Sequence, residues 1–223
     1  MKIFFVSLLS IFTILTGHAQ SSALPKIPKS AKNIMDFIPK DYDTLATVRG
    51  DLNKDSKEDI AMVLINKNES NFEMNKEPAR LLIILFKNKN GYELATSSNK
   101  AILCKHCGGV FGDPFDNINI QNNILSIEHY GGSSWRWSYT HKFHFQNNNF
   151  YLISQSSTYS NANNYCDQLD ENAGLNLEET NFTTGQYLHK KISNEGCKLL
   201  INVKKKIAIK PLRKLSTFNI NIK

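Results

Sequence analysis

The sequence predicts a mostly β protein built from antiparallel sheets, and three observations support this fold class. Residues 135–145 alternate strictly between an aromatic face and a polar face, which is the period of a half-buried strand. Segments 60–65 and 81–86 are apolar at consecutive positions, as is typical of central strands that are covered on both faces. Asn- and Gly-rich clusters separate such segments and favour hairpin turns. With 223 residues, 41% of them hydrophobic, the chain can form a packed core.

Residues 1–19 are predicted to be a secretory signal peptide. Lys2 supplies a positive start, residues 3–15 form an uncharged apolar run, and Gly17 and Ala19 stand at the positions that a signal peptidase reads. We therefore expect a secreted protein, in the periplasm or outside the cell. No later stretch of the sequence is apolar enough to span a bilayer.

The mature chain is expected to begin with a leader, residues 20–41, that contains one short helix at 32–38. Pro39 ends this helix. Residues 42–223 are then predicted to form a single β domain. The Asn- and Glu-rich segment 161–185 is interpreted as a loop.

An internal sequence similarity suggests that the domain has two units. The Asn-rich turn after Phe86 resembles the turn after Phe145, and Tyr92 and Tyr151 follow at similar distances. Two sheet units of this kind would cover about 42–95 and 110–155. The alternative is a chance match, because Asn is common in turns of any origin.

The positive charge is concentrated at the end of the chain. The formal net charge is +7, and the basic segment 198–223 contains eight Lys or Arg and no Asp or Glu. Such a segment either meets an anionic polymer of the envelope or is a solvated face that aids solubility. We do not expect nucleic-acid binding, because an exported chain with no recognisable reader motif gives no reason for it.

Four cysteines in an exported chain predict disulfide bonds. We expect Cys104 to pair with Cys107, and Cys166 with Cys197. Two alternatives are a redox centre, because Cys104-Lys105-His106-Cys107 has the CxHC form, and a zinc site. A redox pair opens a helix, and the glycines after Cys107 do not favour one.

The strongest chemical motif is a loop of oxygen-bearing residues between two predicted strands. Asp51, Asn53, Asp55 and Asp59 occupy positions 1, 3, 5 and 9 of this loop, and Lys57 at position 7 offers its backbone carbonyl. Oxygen ligands at this spacing suit a hard cation, and calcium accepts their flexible geometry better than magnesium does. The alternative is a polar turn that holds no ion.

This loop, preceded by Gly50 and followed by Ile-Ala-Met-Val-Leu, resembles the calcium loop of FG-GAP/VCBS repeats. These repeats are the blade units of integrin-α-type propellers. The resemblance covers about 42–95, with a second, degenerate unit at about 110–155. It implies antiparallel sheets related to propeller blades and a structural calcium ion on the five loop residues. Ser56 stands where the family usually has Gly.

The segment around Gly131 and Gly132 is the candidate partner-binding surface. Tyr130, Trp135 and Arg136 flank these glycines, and such aromatic and basic side chains stack on sugar rings or anchor a protein partner. The strand period predicts that Trp135 points into the core and that Arg136 stays available on the other face.

Other polar residues have simpler interpretations than catalysis. Histidines spaced by an odd number along a strand face opposite sides, which disfavours a zinc site, and aspartates beside Pro or Asn are common in turns. The residues concerned are His129, His141, His144, Asp113 and Asp116.

We therefore expect a calcium-stabilised, non-catalytic binding module whose partner is a protein or an envelope polysaccharide. One alternative is a periplasmic inhibitor or immunity-type protein that blocks an envelope hydrolase or toxin. The other is a secreted hydrolase that uses Asp113, Asp116 or a histidine.

Overall fold

A computed structural model of the chain describes residues 25–73, 76–161, 174–193 and 198–220. Within these ranges the chain forms two antiparallel sheets, of five and seven strands, and short 3-10 helices, with no α-helix. The strands are β1 (Ser30–Ala31), β2 (Tyr42–Gly50), β3 (Asp59–Asn66), β4 (Leu81–Asn88), β5 (Gly91–Ser98), β6 (Phe115–Gln121), β7 (Ile124–Gly132), β8 (Trp135–Gln146), β9 (Asn149–Asn161), β10 (Asn176–Asn181), β11 (Gln186–Ile192) and β12 (Leu199–Lys206). The 3-10 helices are Ile34–Phe37, Glu69–Asn71, Lys105–Gly108 and Leu215–Thr217. The mostly β fold class is confirmed.

The predicted short helix is present as a single 3-10 turn, Ile34–Phe37. The Asn33 amide donates to the Asp36 carboxylate at 3.2 Å and closes its start. Ile38 is extended, because a residue before proline avoids the helical region. No helix within the described ranges is long and apolar enough to cross a membrane.

The five-stranded sheet has the order β1-β5-β4-β3-β2, so β3 and β4 are central. Their apolar residues are buried on both faces, as predicted. Val63 and Ile84 belong to a core shared with the seven-stranded sheet. Met62 and Ile83 belong to a second cluster, which Phe37 and the rest of the N-terminal segment cover.

The seven-stranded sheet runs β6 to β12 as one continuous meander. The predicted hairpin is confirmed: β7 and β8 pair up to Gly132 and Arg136, and three residues, 133–135, lie between this last pair. The prediction of a loop over 161–185 is wrong for residues 176–181. Residues 176–181 form β10, because their backbone pairs with β9 on one side and β11 on the other.

The core between the sheets covers only part of β8. Phe143 is fully buried there, and Trp137 packs against the same cluster. Trp135, at the first residue of β8, is 41% exposed, so the prediction that it points into the core is wrong. The strand period sets its side correctly, but the packed layer does not reach this end of the strand.

The basic segment is not uniformly solvated. Its first part is the edge strand β12, and its later part returns to the core, where Leu215, Phe218 and Ile220 are buried. The Phe218 ring lies 5.2 Å from that of Phe143, and the Leu152 amide donates to the carbonyl of Arg213 at 2.9 Å.

The predicted bond between Cys104 and Cys107 is present. Lys105–Gly108 form a four-residue 3-10 turn instead of the α-helix that accompanies a redox-active pair. The predicted pair Cys166 and Cys197 lies outside the described residues.

Candidate functional site

The loop between β2 and β3 is organised by hydrogen bonds from its own backbone. The Asp51 carboxylate accepts the amides of Lys54 and Ser56 at 2.6 and 3.0 Å, and the Asn53 side chain accepts the amide of Asp55 at 3.0 Å. Lys54 and Ser56 adopt left-handed backbone angles, with φ of 67° and 63°. At Ser56 this conformation costs about 1 kcal/mol relative to glycine.

The Asp59 side chain links this loop to strand β4 by hydrogen bonds. It is fully buried, and its two oxygens accept the amides of Leu52 and Lys87, both at 2.9 Å. Burial raises the pKa of this carboxyl group, although these amides act in the opposite direction. Asp55 is exposed instead, and its hydrogen bond from the Lys57 ammonium at 2.8 Å lowers its pKa.

The loop fits calcium by the type of its oxygen donors. Across the described ranges, no three Asp, Glu, His or Cys side chains lie close enough together to hold a metal ion. Both Asp59 oxygens are committed to backbone amides, and Asp55 is held by Lys57. Calcium binding stays a prediction.

The three predicted partner-binding residues lie on two faces of the sheet. Tyr130 and Arg136 share one face with Phe111: the two aromatic rings are 5.6 Å apart, and the guanidinium lies 5.3 Å from the Phe111 centroid. Trp135 lies on the reverse face, because neighbouring residues of a strand point to opposite sides. There it stacks on Tyr159 of β9, with the ring centroids 5.2 Å apart and the planes 5° apart.

An aromatic ladder leads from this stacked pair along β8. Trp137 and Tyr139 lie 5.1 Å apart, and Tyr139 and His141 lie 6.3 Å apart. The ladder borders a cleft of about 590 Å³, whose lining comes from β8, β9, β10 and the C-terminal segment. Polar and aromatic side chains alternate in this lining, and they include Tyr139, His141, Tyr159, Asn176, Glu178 and Arg213. We call this feature the aromatic cleft.

His141 places a neutral polar group in the cleft wall. Burial lowers its pKa to about 4, and the nearby Arg213 charge acts in the same direction. Its Nδ1 has no hydrogen-bond partner among the described residues. The neighbouring His129 is buried as well, with its pKa lowered to about 3, chiefly by burial, and its Nε2 accepts the Leu103 amide at 3.2 Å. His144 lies on the other face of β8, as the strand period predicts.

The carboxylates of Asp113 and Asp116 are not equivalent. Both oxygens of Asp113 accept hydrogen bonds from Arg80, at 2.7 and 2.6 Å, and Arg80 is also paired with the buried Glu69. Asp116 is exposed on β6. Asp113 is therefore part of a buried ionic network that links two loops.

Sequence reasoning did not single out Tyr159, Asn176, Glu178 or Arg213. Tyr159 lies in a Ser- and Thr-rich stretch with no strong alternation of apolar residues, and Asn176 and Glu178 lie where a loop was predicted. The usable signal was the single aromatic residue in the polar segment 154–161 at the end of β9. The pairing of β8 with β9 brings Tyr159 to Trp135.

Comparison of the chain with protein-family models, curated proteins and solved structures gives no match. The described residues form two packed antiparallel sheets and no propeller. Fold and site together define a mostly β protein with an aromatic-lined cleft on the inner face of its larger sheet.

Proposed function

We propose that the protein is an exported, non-catalytic binding module that holds a glycan of the cell envelope in the aromatic cleft. The observation that carries this proposal is the stacked pair of Trp135 and Tyr159, which are 41% and 44% exposed. Tyr159 lines the cleft, and Trp135 reaches it through this stack. Large exposed aromatic rings on a fixed strand pair give a flat apolar platform, and the apolar face of a sugar ring packs on such a platform.

The polar lining of the cleft supports a glycan over an apolar ligand. Asn176, Glu178 and Arg213 offer planar groups with several donors and acceptors, which match the closely spaced hydroxyls of a sugar. Asn176 and Glu178 stand on strand β10, so their backbone positions are fixed before binding.

The cleft also favours binding over hydrolysis. Glycoside hydrolysis ordinarily needs two carboxyl groups on either side of the scissile bond. Glu178 is the one carboxyl group that the cleft lining contains among the described residues. Of the aspartates considered for catalysis, Asp113 is paired with Arg80, and neither Asp113 nor Asp116 lines the cleft.

The proposal includes calcium at the loop of residues 51–59 and a relation to propeller-blade units. Strands β2 to β5 form a four-stranded antiparallel meander with this loop between its first two strands, and four-stranded sheets are the usual blades of propellers. Because the loop is already held by backbone amides, we expect calcium to add stability without being required for folding.

Retention of the purified protein on peptidoglycan and on envelope polysaccharide tests the proposal. Trp135→Ala and Tyr159→Ala should each weaken retention by about tenfold, the scale of a buried aromatic anchor. Phe111→Ala is the matched control, since Phe111 is an exposed aromatic residue on the reverse face. Equal retention of the Trp135→Ala variant and the wild type would refute the glycan assignment. A one-to-one complex with an envelope hydrolase, without glycan retention, would favour the inhibitor alternative.

A further inference from the structure

We propose a second binding site, on the reverse face of the larger sheet, for an extended acidic polysaccharide. The site is a groove of about 880 Å³ across strands β8 to β12, which we call the basic groove. Its lysines lie on the opposite face of the sheet from the aromatic cleft, because alternate residues of a strand point to opposite sides. Gln155 and Ser156 border both cavities.

Strand pairing places one row of polar side chains straight across this groove. Lys142 of β8 is opposite Ser154 of β9, and Ser154 is opposite Asn181 of β10. Asn181 is opposite Gln186 of β11, which is opposite Lys206 of β12. The row therefore has a lysine at each end and a hydroxyl and two amides on its floor.

A parallel row adds a third lysine. Lys204 on β12 is opposite Leu188, which is opposite Glu179 on β10. Within the described ranges, Lys142, Lys204 and Lys206 form no ion pair, and Glu179 is the acidic residue of the groove lining. The groove therefore carries an excess of positive charge that attracts an anion.

The spacing favours a polymer over a small anion. Lys142 and Lys206 are separated by four strand spacings, roughly 19 Å at about 4.8 Å each in a flat sheet. A single phosphate or carboxylate group is too small to reach both lysines. A chain with repeated negative charges can contact both ends of the row.

The floor of the groove favours a polysaccharide over a lipid surface. The Ser154 hydroxyl and the Gln186 amide each donate and accept hydrogen bonds, as sugar hydroxyls do. The Asn181 side chain adds its NH₂ donor, since its oxygen already accepts from Thr183 and Thr184. A flat bilayer would contact the lysines at the rim and leave this floor without a partner. The lysines on β12 have a second explanation, because charged residues on an edge strand prevent pairing with a strand of another chain. This explanation does not apply to Lys142, which lies on the interior strand β8.

Binding to immobilised polygalacturonate, with neutral dextran as the comparison polymer, tests this inference. We expect binding to polygalacturonate alone, with an affinity that falls as salt is added, because charge attraction is screened. A groove variant that replaces three of its four lysines by glutamine should bind about tenfold or more weakly. A control variant removes the same number of charges from exposed positions elsewhere and should bind within about twofold of the wild type. The groove changes are Lys142→Gln, Lys204→Gln and Lys206→Gln, and the control changes are Lys29→Gln, Lys89→Gln and Lys100→Gln.

Several outcomes would overturn the inference. These are equal binding to dextran, an equal loss in the control variant, or unchanged binding by the groove variant. Binding to phosphatidylglycerol vesicles that needs the groove lysines, without polygalacturonate binding, would assign the groove to a membrane surface instead. Circular dichroism checks that the groove variant is folded, and the single Lys142→Gln variant replaces it if it is not. Trp135→Ala should keep full polygalacturonate binding, which separates this test from that of the aromatic cleft.

Discussion

The guanidinium of Arg80 donates hydrogen bonds to both carboxylate oxygens of Asp113, although the two residues are 33 positions apart in the chain. The same group holds Glu69 at 2.6 Å, and Arg80 is only 1% exposed. A buried guanidinium needs partners of this kind, since an unpaired charge away from water is costly. The network therefore ties the Glu69–Asn71 turn and the loop before β6 to the start of β4.

We predict that Glu69→Ala destabilises the protein by about 3 kcal/mol, because it leaves a buried guanidinium with one partner. Asp113→Ala should lower the free energy of unfolding by less. The Asp113 side chain is 37% exposed, so water can take the place of its carboxylate beside Arg80. Urea unfolding measures both changes. Glu58→Ala breaks the exposed pair with Arg49 and serves as the control, with an expected cost below about 1 kcal/mol. If Glu69→Ala and Glu58→Ala lowered the free energy of unfolding by the same amount, the structural role of the network would be contradicted.

We predict that the protein loses stability as the pH falls below about 6.5. In the folded state, burial lowers the pKa of His129 to about 3 and that of His141 to about 4. The unfolded chain therefore takes up protons between about pH 6.5 and pH 4 while the folded chain does not, which favours unfolding. For His141 alone the loss would be roughly 3 kcal/mol, at about 1.4 kcal/mol per pKa unit.

Unfolding measured in urea at a series of pH values tests this prediction. His141→Phe removes one of the titrating groups and should flatten the pH dependence between pH 6.5 and pH 4. His144→Phe is the control, because His144 lies on the other face of β8, is only half-buried and should change the slope much less. The same slope in the His141→Phe variant and the wild type would count against the prediction.

We predict that a calcium chelator lowers the melting temperature and that Asp55→Ala abolishes this sensitivity. Asp55 is the exposed carboxylate at position 5 of the loop, so its removal takes away a ligand without disturbing the buried Asp59. Asp116→Ala, at an exposed position on β6, should keep the sensitivity to chelator. A wild-type melting curve that is unchanged by chelator and by added calcium would refute the calcium site.

We predict that Gly131→Ala destabilises the protein by about 2 kcal/mol, the range of a small overpacking change. A methyl group there would lie 2.5 Å from the Trp137 ring and 2.8 Å from the carbonyl oxygen of Gly108. Gly112→Ala is the comparison, since nothing lies within 4 Å and only its φ of 77° opposes a side chain, at about 1 kcal/mol. Thermal unfolding compares the stability of the two variants. A smaller loss of stability in Gly131→Ala than in Gly112→Ala would contradict the prediction, because it would mean that the neighbouring atoms move to accept the methyl group.

The strands that sequence reasoning found are those in which burial follows a simple period. The two central strands, β3 and β4, were predicted because both of their faces are covered, so their apolar runs are continuous. The hairpin of β7 and β8 was predicted from alternation and a glycine turn. Strand β10 was missed because it is polar on both faces and is stabilised by backbone pairing.

The candidate site was predicted only in part. The role of Trp135 in partner contact stays a prediction. Its exposure was not predicted, because exposure depends on how far the smaller sheet extends over the larger one. Tyr159 and Arg213 come from distant parts of the chain and meet at the cleft through strand pairing and the returning C-terminal segment.

The sequence by itself determined the fold class, the local hairpins and the bond between Cys104 and Cys107, because each depends on neighbouring residues and on the strand period. The tertiary structure decided which faces of the strands are covered and which residues from separate segments meet. Trp135 and Tyr159 stack, and Lys142 and Lys206 share one row, only because the seven strands pair in a fixed register. Register and layer overlap are long-range properties of packing, and no local pattern of residues contains them.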